Sequence, residues 1–242
     1  MSWIDRIRGK TEPSELPATA DVRDAFLVEV VKDRSFAEVG GLWGAVNEKV
    51  SVAHRAGAKS LTMIDVMPPE DEWWARFRDR MREHGVTKYE TVSGDVATAQ
   101  VGPFDVIHCS GVLYHVPHPI EFLALLRDRL NEHLVLSSAV IPRRIENQDG
   151  VLKVPEGGAL FVPSMDAAAK RIYTRFWQGD LDAAMWGVNR DFDHFTLDNY
   201  VPWWWLMTVS AIRGMARVAG FEVVRDAPLF TGAAHTFLLR KR

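Results

Sequence analysis

Apolar and polar positions alternate in blocks along most of this 242-residue chain. Short apolar runs ending in an acid or a glycine are followed by stretches whose apolar residues recur every three or four positions. The first pattern predicts buried strands of a parallel sheet, and the second predicts amphipathic helices packed on it. Phe26, Leu27, Val30 and Val31 form one stripe of a helix over 22–33, with Asp21 as its cap. Strands are predicted over 36–39, 60–66, 89–92, 104–109 and 132–141, and helices over 44–56, 70–84 and 119–130. In the helix over 70–84, Trp73, Phe77 and Met81 share the inward face.

From Pro142 to Tyr200 the rhythm breaks. A hairpin is predicted from 151–154 and 159–162 around Glu156-Gly157-Gly158, then a helix over 165–177 and a polar, aromatic stretch over 179–198. A break of this length between core elements reads as a functional insertion. A helix over 204–219 and strands over 221–227 and 235–240 close the chain. The link between those last strands is too short for a crossover helix, so they pair antiparallel. The expected fold class is α/β: a Rossmann-like, mostly parallel seven-stranded sheet ending in an antiparallel C-terminal hairpin. The expected division is 1–34 as N-terminal helices or cap, 35–141 as ligand-binding core, 142–199 as substrate cap and 200–242 completing the core.

Composition narrows the class without naming it. The formal net charge is −3, so no global basic field favours nucleic acid. A single cysteine, Cys109, rules out an internal disulfide and fits a reducing compartment. No run approaches the ~18 apolar residues of a membrane helix, and the first ten residues lack a signal-peptide core. The expectation is a cytoplasmic protein with no membrane partner.

The informative stretch is Glu38-Val39-Gly40-Gly41-Leu42-Trp43-Gly44, where a strand turns into a helix. Its glycines fail the dinucleotide register, because Leu42 and Trp43 stand where glycine is needed. They satisfy acid-x-Gly-x-x-x-Gly, an arrangement suited to a ligand carrying an amine and a carboxylate. Asp65 ends the second strand, where a carboxylate accepts ribose hydroxyls. Gly94-Asp95 follows the third. Together they point to a nucleoside bearing an amino acid.

This constellation, with Phe104-Asp105-Val106-Ile107 and the closing hairpin, resembles the class I S-adenosylmethionine-dependent methyltransferases over roughly 35–141 and 200–240. The resemblance implies S-adenosyl-L-methionine as cofactor. It places Glu38 and Gly40 at the methionine part, Asp65 at the ribose and Asp95 with Val96 at the adenine. Gly41, Trp43, Val66, Ser110 and Tyr114 complete the implied cofactor-binding set. Leu42 departs from the family pattern, which has a glycine there. Within the superfamily, Gly111-Val112-Leu113-Tyr114-His115 and Leu160-Phe161-Val162-Pro163-Ser164 are locally similar to enzymes that carboxymethylate wobble uridine in tRNA.

Tyr114 and His115 follow strand four, where the acceptor would meet the methyl, and His115 is the candidate base, with His194 a second. Asn189, Arg190 and His194 are candidates for orienting substrate from a lid. Trp203-Trp204-Trp205 cannot all share one face of a helix, so Trp203 and Trp204 are candidate substrate walls. No complete metal-ligand set is present. The reading is methyl transfer to a small-molecule acceptor, planar or aromatic, with a homodimer as the assembly left open. Modification of tRNA and a non-catalytic binding subunit are the alternatives.

Overall fold

The computed structural model describes residues 21–42, 48–177, 194–197, 199 and 201–242. The expectations for Trp43, Gly44, Asn189 and Arg190 lie outside them.

Helix α1 (Val22–Val30) is capped by Asp21, whose carboxylate accepts the Arg23 N–H at 3.0 Å. The alternating part then runs β1 (Ser35–Val39), α2 (Val50–Arg55), β2 (Ser60–Asp65), α3 (Glu72–Glu83) and β3 (Glu90–Ser93). It continues through β4 (Phe104–Ser110), α4 (Pro119–Asp128) and β5 (Leu130–Ala139). Asp71 caps α3, and Pro119 opens α4, where a missing N–H costs nothing. Two short elements, β6 (Arg144–Asn147) and β7 (Gly150–Lys153), form a hairpin. Next come β8 (Ala159–Phe161), α5 (Ala167–Arg175), β9 (Trp205–Met207), α6 (Val209–Val218), β10 (Phe221–Leu229) and β11 (Ala234–Lys241).

The main sheet has seven strands in the order β10-β11-β5-β4-β1-β2-β3. β1 through β5 pair in parallel, while β11 runs antiparallel to both β5 and β10. The expected fold class is the one observed. One face of the sheet, with Ala37, Ile107 and Leu134, is in the apolar cluster of α4 and α6, while α5 packs on the β6–β7 hairpin. The other, with Phe36, Val106 and Met63, packs against α1, α2 and α3. Because β1 lies between β4 and β2, the direction of strand addition reverses beside it, and the carboxyl ends there border a crevice.

Two predicted elements differ. The strand over 151–154 pairs with β6, and β8 pairs with β9 in a second small sheet, so the Glu156-Gly157-Gly158 turn links two sheets. The turn that makes the first hairpin is Asn147-Gln148-Asp149-Gly150: the Asn147 side chain accepts the Asp149 N–H at 3.1 Å, and Gly150 takes φ +134°. The helix expected from 204 begins only at Val209, where the Thr208 hydroxyl caps it through the Ala211 N–H at 3.2 Å. The preceding Trp205-Leu206-Met207 is strand, as bulky aromatic residues favour. Among the described residues no helix is long and apolar enough to cross a membrane.

Candidate active site

The turn after β1 is held by Glu38. Its Oε2 accepts the backbone N–H groups of Lys49 (2.7 Å) and Val50 (3.1 Å), which would otherwise lack partners at the start of α2. Its Oε1 faces His108 Nδ1 at 3.3 Å. Glu38 is therefore a buried brace from β1 to α2 and β4 in this structure, engaged on both oxygens. Gly41 is required beside it: a Cβ there would lie 2.6 Å from Glu38 Cδ. Gly40 has φ +75°, and a Cβ there would lie 2.4 Å from Val112 Cγ2. The Gly40 N–H donates to the Ile64 carbonyl at 2.9 Å, joining the turn to the end of β2.

Asp65 stands at that end and is 6% exposed. Its Oδ2 accepts the Leu42 N–H at 3.0 Å and its Oδ1 the Met67 N–H at 3.1 Å. Burial raises its pKa despite these bonds, and Glu38 adds to the rise. The Gly94 N–H donates to the Asp65 carbonyl at 2.8 Å, bringing Asp95 alongside. Val66 is exposed, Val96 is buried, and the Asp95 carboxylate accepts the Ala97 N–H at 2.8 Å. Leu42, the departure from the glycine pattern, is fully buried in the apolar cluster of α1, α2 and α3.

Sequence reasoning missed the charged layer beneath the turn. Arg23 (5% exposed) and Lys49 (4%) are buried there. Both pair with Asp21, at 2.6 and 2.7 Å, and Lys49 also meets Asp24 at 2.5 Å. Burial works to raise the Asp21 pKa, but Arg23 and Lys49 overcome it and hold the carboxyl well below the usual range. Arg23 Nη1 also reaches Ser110 Oγ, 3.4 Å away at the end of β4. The signal was present: Arg23 lies on the stripe of α1 that carries Phe26 and Leu27, and His108 interrupts an apolar strand.

Beyond β4, a single 3-10 turn, Leu113–His115, carries the candidate chemistry. Tyr114 is buried, with ring centroids 4.3 Å from His115 and 4.4 Å from Trp203, and burial raises the pKa of its phenol. His115 Nδ1 donates to the Pro202 carbonyl at 3.1 Å, leaving Nε2 as the acceptor of the neutral ring. Burial drives His115 down to about 4, against the Pro202 and Val201 carbonyls.

The three tryptophans make different contacts: Trp205 opens β9, while Trp203 and Trp204 precede it. Trp203 is fully buried against Tyr114 and Trp177, making it a keystone of the core. Trp204 packs on Phe161 and Phe195, and Trp205 donates its indole N–H to the Pro117 carbonyl at 3.1 Å. His194 is exposed, and its carbonyl accepts the Asn199 side-chain N–H at 2.8 Å. Arg143 and Arg144 are exposed and pair with Glu156 and Glu146. Among the described residues no group of three or more His, Cys, Asp or Glu is placed to hold a metal ion.

Glycines at the turn after β1, an acid ending β2 and a second acid just after β3, on the carboxyl edge of a sheet of this order, define a class I methyltransferase architecture. The methyltransferase domain family model matches residues 38–226, and the chain belongs to that family. No curated protein matches the sequence. Among solved structures, magnesium protoporphyrin IX methyltransferase from Synechocystis PCC 6803 aligns over 98% of this chain and 92% of its own, at 14% identity and TM-score 0.57. An S-adenosylmethionine-dependent methyltransferase from Mesorhizobium loti aligns over 91% and 96%, at 14% identity and TM-score 0.56. Mitomycin 7-O-methyltransferase aligns over 91% of this chain but 53% of its own, at 13% identity and TM-score 0.54. At these identities the likeness is one of fold.

Proposed function

We propose that this chain transfers a methyl group from S-adenosylmethionine to a small-molecule acceptor. The observation that carries the reading is the convergence of Gly40, Gly41, Asp65, Asp95 and Ser110 at the carboxyl ends of four adjacent strands. These residues fit the cofactor. Gly40 and Gly41 are required by the packing of Val112 and Glu38 against them, and with no side chains of their own they leave the turn's backbone open to the methionine part. Asp65, an acceptor held in place by two backbone N–H groups, suits the donating hydroxyls of a ribose. Exposed Val66 and buried Val96 offer apolar contact for adenine, with Asp95 at its edge. Glu38 acts on the methionine part through the turn it braces. Leu42 presents its backbone to Asp65 while its side chain packs in the opposite layer, so it is compatible with this role.

The bound cofactor supplies an electrophilic methyl on a sulfonium centre. Direct displacement there depends mainly on alignment, so the chain's task is to hold the acceptor in line and keep water out. Tyr114, kept neutral by burial, is placed to orient it. His115 has its Nδ1 proton committed to Pro202, and its Nε2 lone pair is free above pH ~4 to take a proton from a hydroxyl acceptor. Its low basicity suits a positioning role as much as a proton-accepting one. The elements from β6 to β9 form the cap: the Trp204 N–H donates to the Tyr114 carbonyl at 2.9 Å, joining the cap to the candidate catalytic turn. The modest negative charge and the pairing of Arg143 and Arg144 with acids favour a small molecule over tRNA.

Incubation with radiolabelled S-adenosylmethionine, small-molecule extracts and total tRNA tests the reading. Label is expected in a small molecule; label in tRNA instead would overturn the acceptor assignment.

A further inference from the structure

Of the buried polar atoms outside the cofactor crevice, the indole nitrogen of Trp204 stands out. The residue is 8% exposed, the nitrogen itself is buried, and among the described residues it has no hydrogen-bond partner. Its neighbour Trp205 spends its own N–H on the Pro117 carbonyl, so the local backbone is able to satisfy an indole. A buried donor left unpaired costs stability, a cost that an acceptor arriving from outside would remove.

The surroundings say what kind of partner. The Trp204 ring stacks with Phe161, centroids 6.2 Å apart and planes at 28°, and meets Phe195 edge-on at 5.2 Å. Phe161 is 39% exposed and also contacts Trp205 at 5.0 Å, so an aromatic shelf continues to the surface. Two backbone bonds fix the location. The Trp204 N–H donates to Tyr114, and its carbonyl accepts the Val162 N–H, both at 2.9 Å. Trp204 is thus the crossing point between the turn carrying Tyr114 and His115 and the cap.

The geometry points to an acceptor subsite on this shelf for a planar aromatic ring bearing an oxygen that accepts the Trp204 indole N–H, such as a phenolate, carboxylate or ring carbonyl. Aromatic faces supply stacking, and the indole fixes which edge of the ring turns inward. The subsite rests on the methyltransferase reading and names the substrate class for that same site. Trp203, by contrast, supports the site from within the core and does not touch the acceptor.

The test is calorimetric titration of the protein loaded with S-adenosylhomocysteine, using 1-hydroxy-2-naphthoate and its ring-saturated, non-planar analogue as probes. The planar probe is expected to bind at least about tenfold more tightly. Trp204→Phe, which keeps an aromatic ring and removes the donor, is expected to weaken it about fivefold, the scale of one neutral hydrogen bond. Phe161→Ala is expected to weaken it as well, with S-adenosylhomocysteine affinity unchanged in both variants. If Trp204→Phe also loses S-adenosylhomocysteine, the variant is disturbed as a whole, and Phe161→Ala, at an exposed side chain, decides. Equal binding of the two probes, binding of neither, or planar-probe binding unchanged by Phe161→Ala overturns the subsite. Failure of S-adenosylhomocysteine to bind the unmodified protein would instead strike the methyltransferase reading itself.

Discussion

At the residue scale, the site is governed by burial and by which partners offset it. His115 illustrates the sign. Its imidazole titrates near 6.5 when unfolded and at about 4 in the fold, so between those values the unfolded chain binds the extra proton. Stability is therefore expected to fall as pH drops from about 6.5 to about 4, with buried His108, also shifted down, acting in the same direction. His115→Gln should flatten that part of the stability–pH curve measured by urea unfolding; a curve identical to that of the unmodified protein would contradict the assigned burial. Glu38 makes a second case. Glu38→Gln removes the charge that accepts the Lys49 and Val50 N–H groups, and a loss of about 1.5–3 kcal/mol is expected in the same assay. Glu38 and Asp65 were legible in the sequence because each ends an apolar run where a sheet meets its crevice. That the Glu38 carboxylate is occupied by α2 and His108 was not, since its partners come from separate elements. Arg23 and Lys49 were hidden for a related reason: a buried cation is readable only once its anion, here Asp21, is seen to fold against it.

At the element scale, the strand–helix alternation from β1 to β5 followed directly from periodicity, since strands buried on both faces read as plain apolar runs. The cap did not. A hairpin between 151–154 and 159–162 looked natural because two glycines sit between them, yet the Asx turn at Asn147 gives the first strand an earlier partner. The sequence reading starts the helix at Trp204. The capping hydroxyl of Thr208 marks the true start, leaving Trp205 in β9 and Trp203 and Trp204 ahead of it. Thr208→Ala is expected to cost about 1 kcal/mol, or about 2–4 °C in thermal midpoint, by calorimetric scanning. An unchanged midpoint would show that the α6 cap contributes little. Outside the helix, the triplet divides its contacts among core, shelf and the segment leading into α4.

At the scale of the whole molecule, the sheet order places β1 at the switch point, between β4 and β2. α1 precedes the stretch matched by the family model, yet its Asp21 and Arg23 tie it to Lys49 behind the glycine turn and to Ser110 at the end of β4. Cofactor grip should therefore depend on α1. Asp21→Asn, which leaves Arg23 and Lys49 buried without their shared anion, is expected to lower stability by several kcal/mol and to weaken S-adenosylhomocysteine binding. Equilibrium unfolding together with titration would show both; full retention of affinity would detach α1 from the site. The central claim is that the crevice at β1, β2 and β4 holds S-adenosylmethionine with Asp65 on its ribose. Isothermal titration of S-adenosylmethionine and S-adenosylhomocysteine into the unmodified protein and into Asp65→Ala tests it most directly. Binding of both ligands to the unmodified protein, weakened by about tenfold or more in Asp65→Ala, is the predicted result. No binding at millimolar ligand, or equal binding to the two proteins, would contradict it.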